Sequence, residues 1–177
     1  MKLRFFLVIM AIFGSFSLFA NSIKVPTSFT ASFLQIVKNS KGKTIKYRGT
    51  VRFNAPSETK WTYRSPTRKE VCSSGNQLVV VDHDLEQVSY FSIARGLDLA
   101  RVLRSARLHH GRTYTTSFKG KLYTVVLRAN GKLEQVAYRD NLDNQVNIIF
   151  TSIQYRNSLQ SGRYFVCPKP RGYDSVY

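Results

Sequence analysis

KTIKYRGTVRF, residues 43–53, is the stretch that decides the fold class. On an extended chain Ile45, Tyr47, Val51 and Phe53 share one face, while Lys46, Arg48, Thr50 and Arg52 share the other. Strict alternation of this kind marks a strand with one side against a core and the other in water. The flanking segments repeat it. FTASFLQIVK (29–38) precedes it across the turn NSKGK, and TKWTYR (59–64) follows between two proline turns. In the latter Trp61 and Tyr63 point one way, with Lys60, Thr62 and Arg64 interleaved.

Further out come RKEVC (68–72), QLVVVD (77–82) and EQVSYFS (86–92). Later segments are RTYTTSF (112–118), KLYTVVLRA (121–129), LEQVAYRD (133–140), QVNIIFTSIQY (145–155) and RYFVC (163–167). SSGN, KGK, NGK and NLDN between them are hairpin chemistry. Eleven strands are therefore predicted, six and then five, with one different segment in between. RGLDLARVLRSARLHH (95–110) places Leu99, Val102, Leu103 and Ala106 at helical spacing, with Asp98 as N-cap and His109 and His110 at the helix C-terminus. The fold class is mainly β: a large antiparallel sheet curling over its apolar face, with one helix as the natural cover. The concave side is either filled by side chains or left as a cavity.

Residues 1–20 read differently. Lys2 and Arg4 precede the apolar run FFLVIMAIF (5–13), which Gly14, Ser15 and Ser17 interrupt. This spelling predicts a secretory signal cleaved after Ala20, or after Ser17, and a single exported domain over 21–177. The alternative is an uncleaved membrane anchor. No cysteine stands near the cleavage point to carry a lipid. Removing Lys2 and Arg4 takes the formal charge from +17 to +15, an excess that attracts anionic partners. The two cysteines, Cys72 and Cys167, are expected to form one disulfide in an oxidising compartment; the alternative is two small buried residues that never meet. Neither has a CxxC or histidine partner, so no metal site is expected.

Catalytic signals are weak. Gly42-Lys43-Thr44 imitates the end of a phosphate-binding loop, but Val37 holds the place of the earlier glycine. Asp82-His83-Asp84 reads as a polar turn, and no serine sits in a nucleophile elbow. No enzyme and no cofactor are expected. Export and the even spread of cations along the strands argue against nucleic acid, and the same spread argues against a transmembrane barrel.

Four places carry a resemblance: SFTASFLQ (28–35), FNAPSETKWTYRSP (53–66), VCSSGNQLVVVDHDLEQV (71–88) and FVCPKPRGYD (165–174). Together they resemble the periplasmic outer-membrane lipoprotein carrier family, LolA-type. The resemblance implies an unclosed eleven-stranded antiparallel barrel with a helical lid over an apolar cavity. It also implies a periplasmic monomer that accepts acylated lipoproteins from an inner-membrane ABC transporter and hands them to an outer-membrane receptor. The cavity wall is then expected to hold Phe33, Tyr47, Val51, Phe53, Trp61, Tyr63, Val80, Val126 and Phe150, with Leu99, Val102, Leu103 and Ala106 covering it. The alternative for each is a filled core. Three departures stand out. Residues 21–27 are too short for a helix before the first strand, so the lid rests on 97–108. Ala55 stands where the family often has an arginine that bonds to the lid, a role Arg52, Arg64 or the lid's own arginines could assume. Cys167 occupies a place that is often aromatic. A different class of function, an exported basic module binding acidic glycans or lipid head-groups on its surface, remains open at this point.

Overall fold

Residues 22–177 are described by a computed structural model; the predicted signal segment and its cleavage point lie outside them. Six strands run in succession: β1 (Ser28–Lys38), β2 (Thr44–Asn54), β3 (Glu58–Ser65), β4 (Lys69–Ser74), β5 (Gln77–Asp82) and β6 (Gln87–Ser92). The helix α1 (Leu99–Ser105) follows. Then come β7 (Arg107–His110), β8 (Thr113–Phe118), β9 (Lys121–Leu127), β10 (Leu133–Arg139), β11 (Gln145–Arg156) and the short β12 (Asp174–Val176). They form one twelve-stranded sheet in the order β12-β6-β5-β4-β3-β2-β1-β11-β10-β9-β8-β7. Every pairing is antiparallel except β12 on β6. Among the described residues the two end strands, β12 and β7, do not pair with each other, so the barrel is unclosed; beyond β7 there is only an isolated antiparallel bridge from Ser22 to Arg107. The pairing of β1 with β11 joins the two meanders.

Ten of the eleven expected strands are present, and two strands were not expected. RYFVC (163–167) is the exception. A 3-10 turn over Gly162–Phe165 replaces the strand, although Phe165 and Cys167 are buried and Tyr164 and Val166 exposed. Alternation there reflects a coil lying on the sheet, with Pro168 and Pro170 unable to donate to a ladder. α1 is also shorter than 97–108. Ala106 already has extended backbone, and Arg107–His110 turn back on Gly111, at φ +55, to form β7 against β8. His109 and His110 thus lie on an exposed edge strand rather than at a helix end.

Opposite partners in the ladders share a face, which fixes what the sheet curls around. Ala31, Val51, Trp61, Val71, Val80 and Ser89 form one row across β1–β6. Curling brings this half against the other: the Trp61 and Phe150 ring centroids are 6.0 Å apart. The opposite face of β4–β6 carries a second, smaller core of Cys72, Val81, Val88 and Cys167, closed by a Cys72–Cys167 disulfide. That bond and Gln160 hold the C-terminal segment across the outer face. Gln160 Nε2 donates to the Phe29 and Phe53 carbonyls, each at 3.2 Å.

Candidate functional site

The concave face and α1 meet in a continuous apolar interior. Leu99, Val102, Leu103 and Ala106 are all at most 1% exposed, as is Ala100, which the helical spacing left off the apolar stripe. Asp98 caps the helix, its Oδ1 accepting from the Arg101 amide at 2.9 Å. Two sets of contacts fasten α1 across the sheet. On one side Arg104 Nη1 donates to the Pro56 carbonyl in the β2–β3 turn. On the other, Thr116 Oγ1 of β8 donates to Ser105 Oγ at 3.0 Å, and the Arg101 guanidinium lies 4.6 Å from the Phe118 ring centre.

The nine side chains expected to line the cavity fall into three groups. Phe33, Val51, Phe53, Trp61 and Phe150 are buried in the main core with the helix. Tyr47, Tyr63 and Val80 share the concave face but are only partly buried. Val126 is a correction: Tyr123, Val125 and Leu127 are the buried set on β9, and Val126 points to the other face. Counting the whole alternating set, which contains three large apolar residues, would have identified Val125. Phe29, Val71, Leu97 and Tyr138 belong to the same interior and were not anticipated.

What empty space remains is small. A cavity of about 140 Å³ lies between β3–β5, the Gly96–Leu97 approach to the lid, and β10–β11. Trp61, Tyr63, Val71, Tyr138 and Ile148 line it, with Gln35 and Thr59 as the polar members. Tyr63 Oη donates to Gln35 Oε1 at 2.8 Å. Burial, with Tyr138 and Tyr47 nearby, pushes the Tyr63 phenol well above its usual range; burial does the same to Tyr138. At the rim Lys69 Nζ lies 4.8 Å from the Tyr63 ring centre and 5.1 Å from that of Tyr47. Burial lowers the pKa of Lys69, and Asp82 opposes the shift. No nucleophile and base are brought together here. The lining is mainly apolar and aromatic.

An open, aromatic-lined sheet under a short helix has a counterpart among known proteins. The family model for outer membrane lipoprotein carrier protein LolA matches residues 25–126, more than half of the chain. The chain belongs to the LolA family. A LolA-family relative from Campylobacter jejuni, an outer-membrane lipoprotein carrier protein, is 30% identical over 159 residues, 90% of this chain and 91% of its own. Another, from Helicobacter hepaticus, is 28% identical over 149 residues, covering 84% and 83%. A solved LolA superfamily structure from Nitrosomonas europaea superposes with a TM-score of 0.51 at 13% identity, over 84% of this chain and 94% of that one, which shows a shared fold. Ala55, where the resemblance led to the expectation of an arginine, has no side-chain donor; Arg52 is engaged with Gln160 Oε1 at 2.9 Å and the Tyr164 ring, and Arg104 of α1 supplies the bond to the turn.

Proposed function

We propose that this protein is a periplasmic, non-enzymatic carrier that receives acylated lipoproteins from an inner-membrane ABC transporter and delivers them to an outer-membrane receptor. Its acyl site is the concave face beneath α1. The observation that carries the reading is the pairing of a wide aromatic face with a helix that covers it while leaving about 140 Å³ empty. That volume is close to the ~150 Å³ of an engineered cavity that holds a benzene. An acyl chain needs the space α1 now fills, so uptake displaces the lid.

The energetics are compatible. Uncovering Leu99, Val102 and Leu103, at about 1.5–3 kcal/mol each, costs roughly 5–9 kcal/mol. Each acyl CH₂ taken from water returns about 0.8 kcal/mol, so roughly six to eleven of them offset the cost. A single long acyl chain carries more than that. The closed lid keeps the apolar wall from water when no cargo is present, and the cargo replaces it.

The test is to isolate the mature protein from periplasm and identify bound lipoprotein by mass spectrometry. In parallel, Trp61 fluorescence is followed with acyl chains brominated near the tail. Bound acylated cargo and quenching of Trp61 are expected. Failure to recover cargo together with unquenched Trp61 would rule out the acyl site.

A further inference from the structure

Outside the lid lies a feature that acyl binding does not use. Arg101, Arg104 and Arg107, with Ser105, Ser117 and Phe118, surround an open groove of about 430 Å³ between α1 and β8. A fourth cation joins it: Lys119 Nζ lies 5.5 Å from the Phe118 ring centre, the same ring that Arg101 covers. No carboxylate lines the groove, and among the described residues the one ion pair these four cations make is Arg101–Asp98 at 3.6 Å. The helix C-terminus contributes only about half a negative charge, and Arg107 already donates to the Arg104 carbonyl at 3.1 Å and the Ala106 carbonyl at 3.2 Å. The groove is therefore strongly electropositive.

We propose that this groove binds the phosphates of anionic lipid head-groups at a bilayer surface, and that the contact draws Arg104 off the Pro56 carbonyl and frees the lid. The inference rests on the carrier reading above. Guanidinium–phosphate bonds are charge-assisted and roughly twice as strong as those between neutral groups, and a two-pronged pairing uses the edge that now serves Pro56. A shallow, open groove with like charges spread around it suits the dispersed phosphates of a membrane. Lid release at a bilayer would confine exposure of the acyl site to the place where acyl chains are exchanged.

The experiment needs no cargo, so its failure is separable from failure of the acyl site. Mature protein is mixed with phosphatidylglycerol-containing or purely phosphatidylcholine vesicles, and both sedimentation and acrylamide quenching of Trp61 are measured. Phosphatidylglycerol vesicles should bind the protein and raise Trp61 quenching; neutral vesicles and soluble glycerol phosphate should do neither. Each cation near an anionic surface contributes about a factor of five, so Arg101→Gln/Arg107→Gln/Lys119→Gln should weaken binding roughly a hundred-fold. The corresponding lysine substitutions at 101 and 107 should retain most of it. Removing equal charge from the exposed residues Lys46, Arg48 and Arg64, each to Gln, should change binding far less. Equal losses in both triple variants, vesicle binding without a change at Trp61, or opening by an acidic peptide and not by vesicles would each overturn the proposal.

Discussion

Arg104 on the lid helix donates its Nη1 hydrogen bond to the carbonyl oxygen of Pro56, in the turn between β2 and β3. The bond runs from α1 to the sheet rim, so on the carrier reading the fastening side chain would travel with the helix. Arg104→Ala should lower stability by about 1 kcal/mol, the usual net value for one hydrogen bond, and should raise acrylamide quenching of Trp61 well beyond what that loss explains. Adding Ala55→Arg to that variant supplies a donor from the sheet side. Restored protection of Trp61 is the expected result. Unchanged quenching in Arg104→Ala would show that the bond does not hold the lid.

The disulfide fastens a different part of the molecule. Cys72 on β4 and Cys167 in the C-terminal segment are 95 residues apart, so the bond closes a long loop. In the chain-entropy model such a loop contributes about 4–5 kcal/mol. Thiol titration of unreduced protein in denaturant should find no reactive thiol. Cys72→Ser/Cys167→Ser should lose several kcal/mol in urea unfolding, with proteolysis beginning in the segment that Cys167 and Phe165 hold on β4–β6. Intact resistance of that segment in the double variant would count against the role.

Most of the ten strands, and the helix, were legible because they have a single clean period. KTIKYRGTVRF and RVLRSA allow only one side to be apolar. The inward face is hidden where both sides are covered, and coil passes for strand where alternation has another cause. QLVVVD reads as an undivided run because Val80 faces the aromatic interior while Val81 joins the disulfide core. RYFVC alternates although it pairs with nothing, since a coil tethered at Phe165 and Cys167 also buries every second residue. The end of α1 was hidden because no turn residue interrupts the segment between Asp98 and His110, while the Gly111 turn that claims Arg107–His110 for β7 lies beyond it. Arg104 was one of several candidate arginines for the lid contact. Choosing among them depends on where the helix sits over the β2–β3 turn, a long-range relation that no local pattern encodes.

Gly49 tests how closely the sheet is packed beneath Phe33. A Cβ placed there would lie 2.0 Å from the Thr62 carbonyl oxygen and 2.9 Å from the Phe33 ring. The first neighbour is backbone and cannot step aside, so the β2–β3 ladder must shift. Gly49→Ala should therefore destabilise by roughly 1–3 kcal/mol, read as a lowered urea midpoint with an unchanged slope. A midpoint equal to that of the wild type would mean that the ladder yields at no cost.

Stability above neutral pH should depend on the tyrosines under the lid. An unfolded tyrosine loses its proton near its usual 10.0, whereas burial holds the Tyr63 and Tyr138 phenols protonated to higher pH. Above that point the unfolded chain binds fewer protons than the folded one, so stability falls as pH rises. Lys69 acts in the opposite sense. Its folded pKa lies below the usual 10.5, so the unfolded chain binds more protons there and stability rises with pH until about that value. The tyrosine loss is thus partly masked at first and stands alone once Lys69 is neutral in both states. Urea unfolding across alkaline pH should show a shallow change and then a steep decline. Tyr138→Phe should flatten the decline, and Tyr63→Phe should do the same while losing about 1 kcal/mol at every pH with its bond to Gln35. Lys69→Leu should bring the decline forward to lower pH. Parallel alkaline curves for the wild type and both phenylalanine variants would show that these phenols do not titrate with folding.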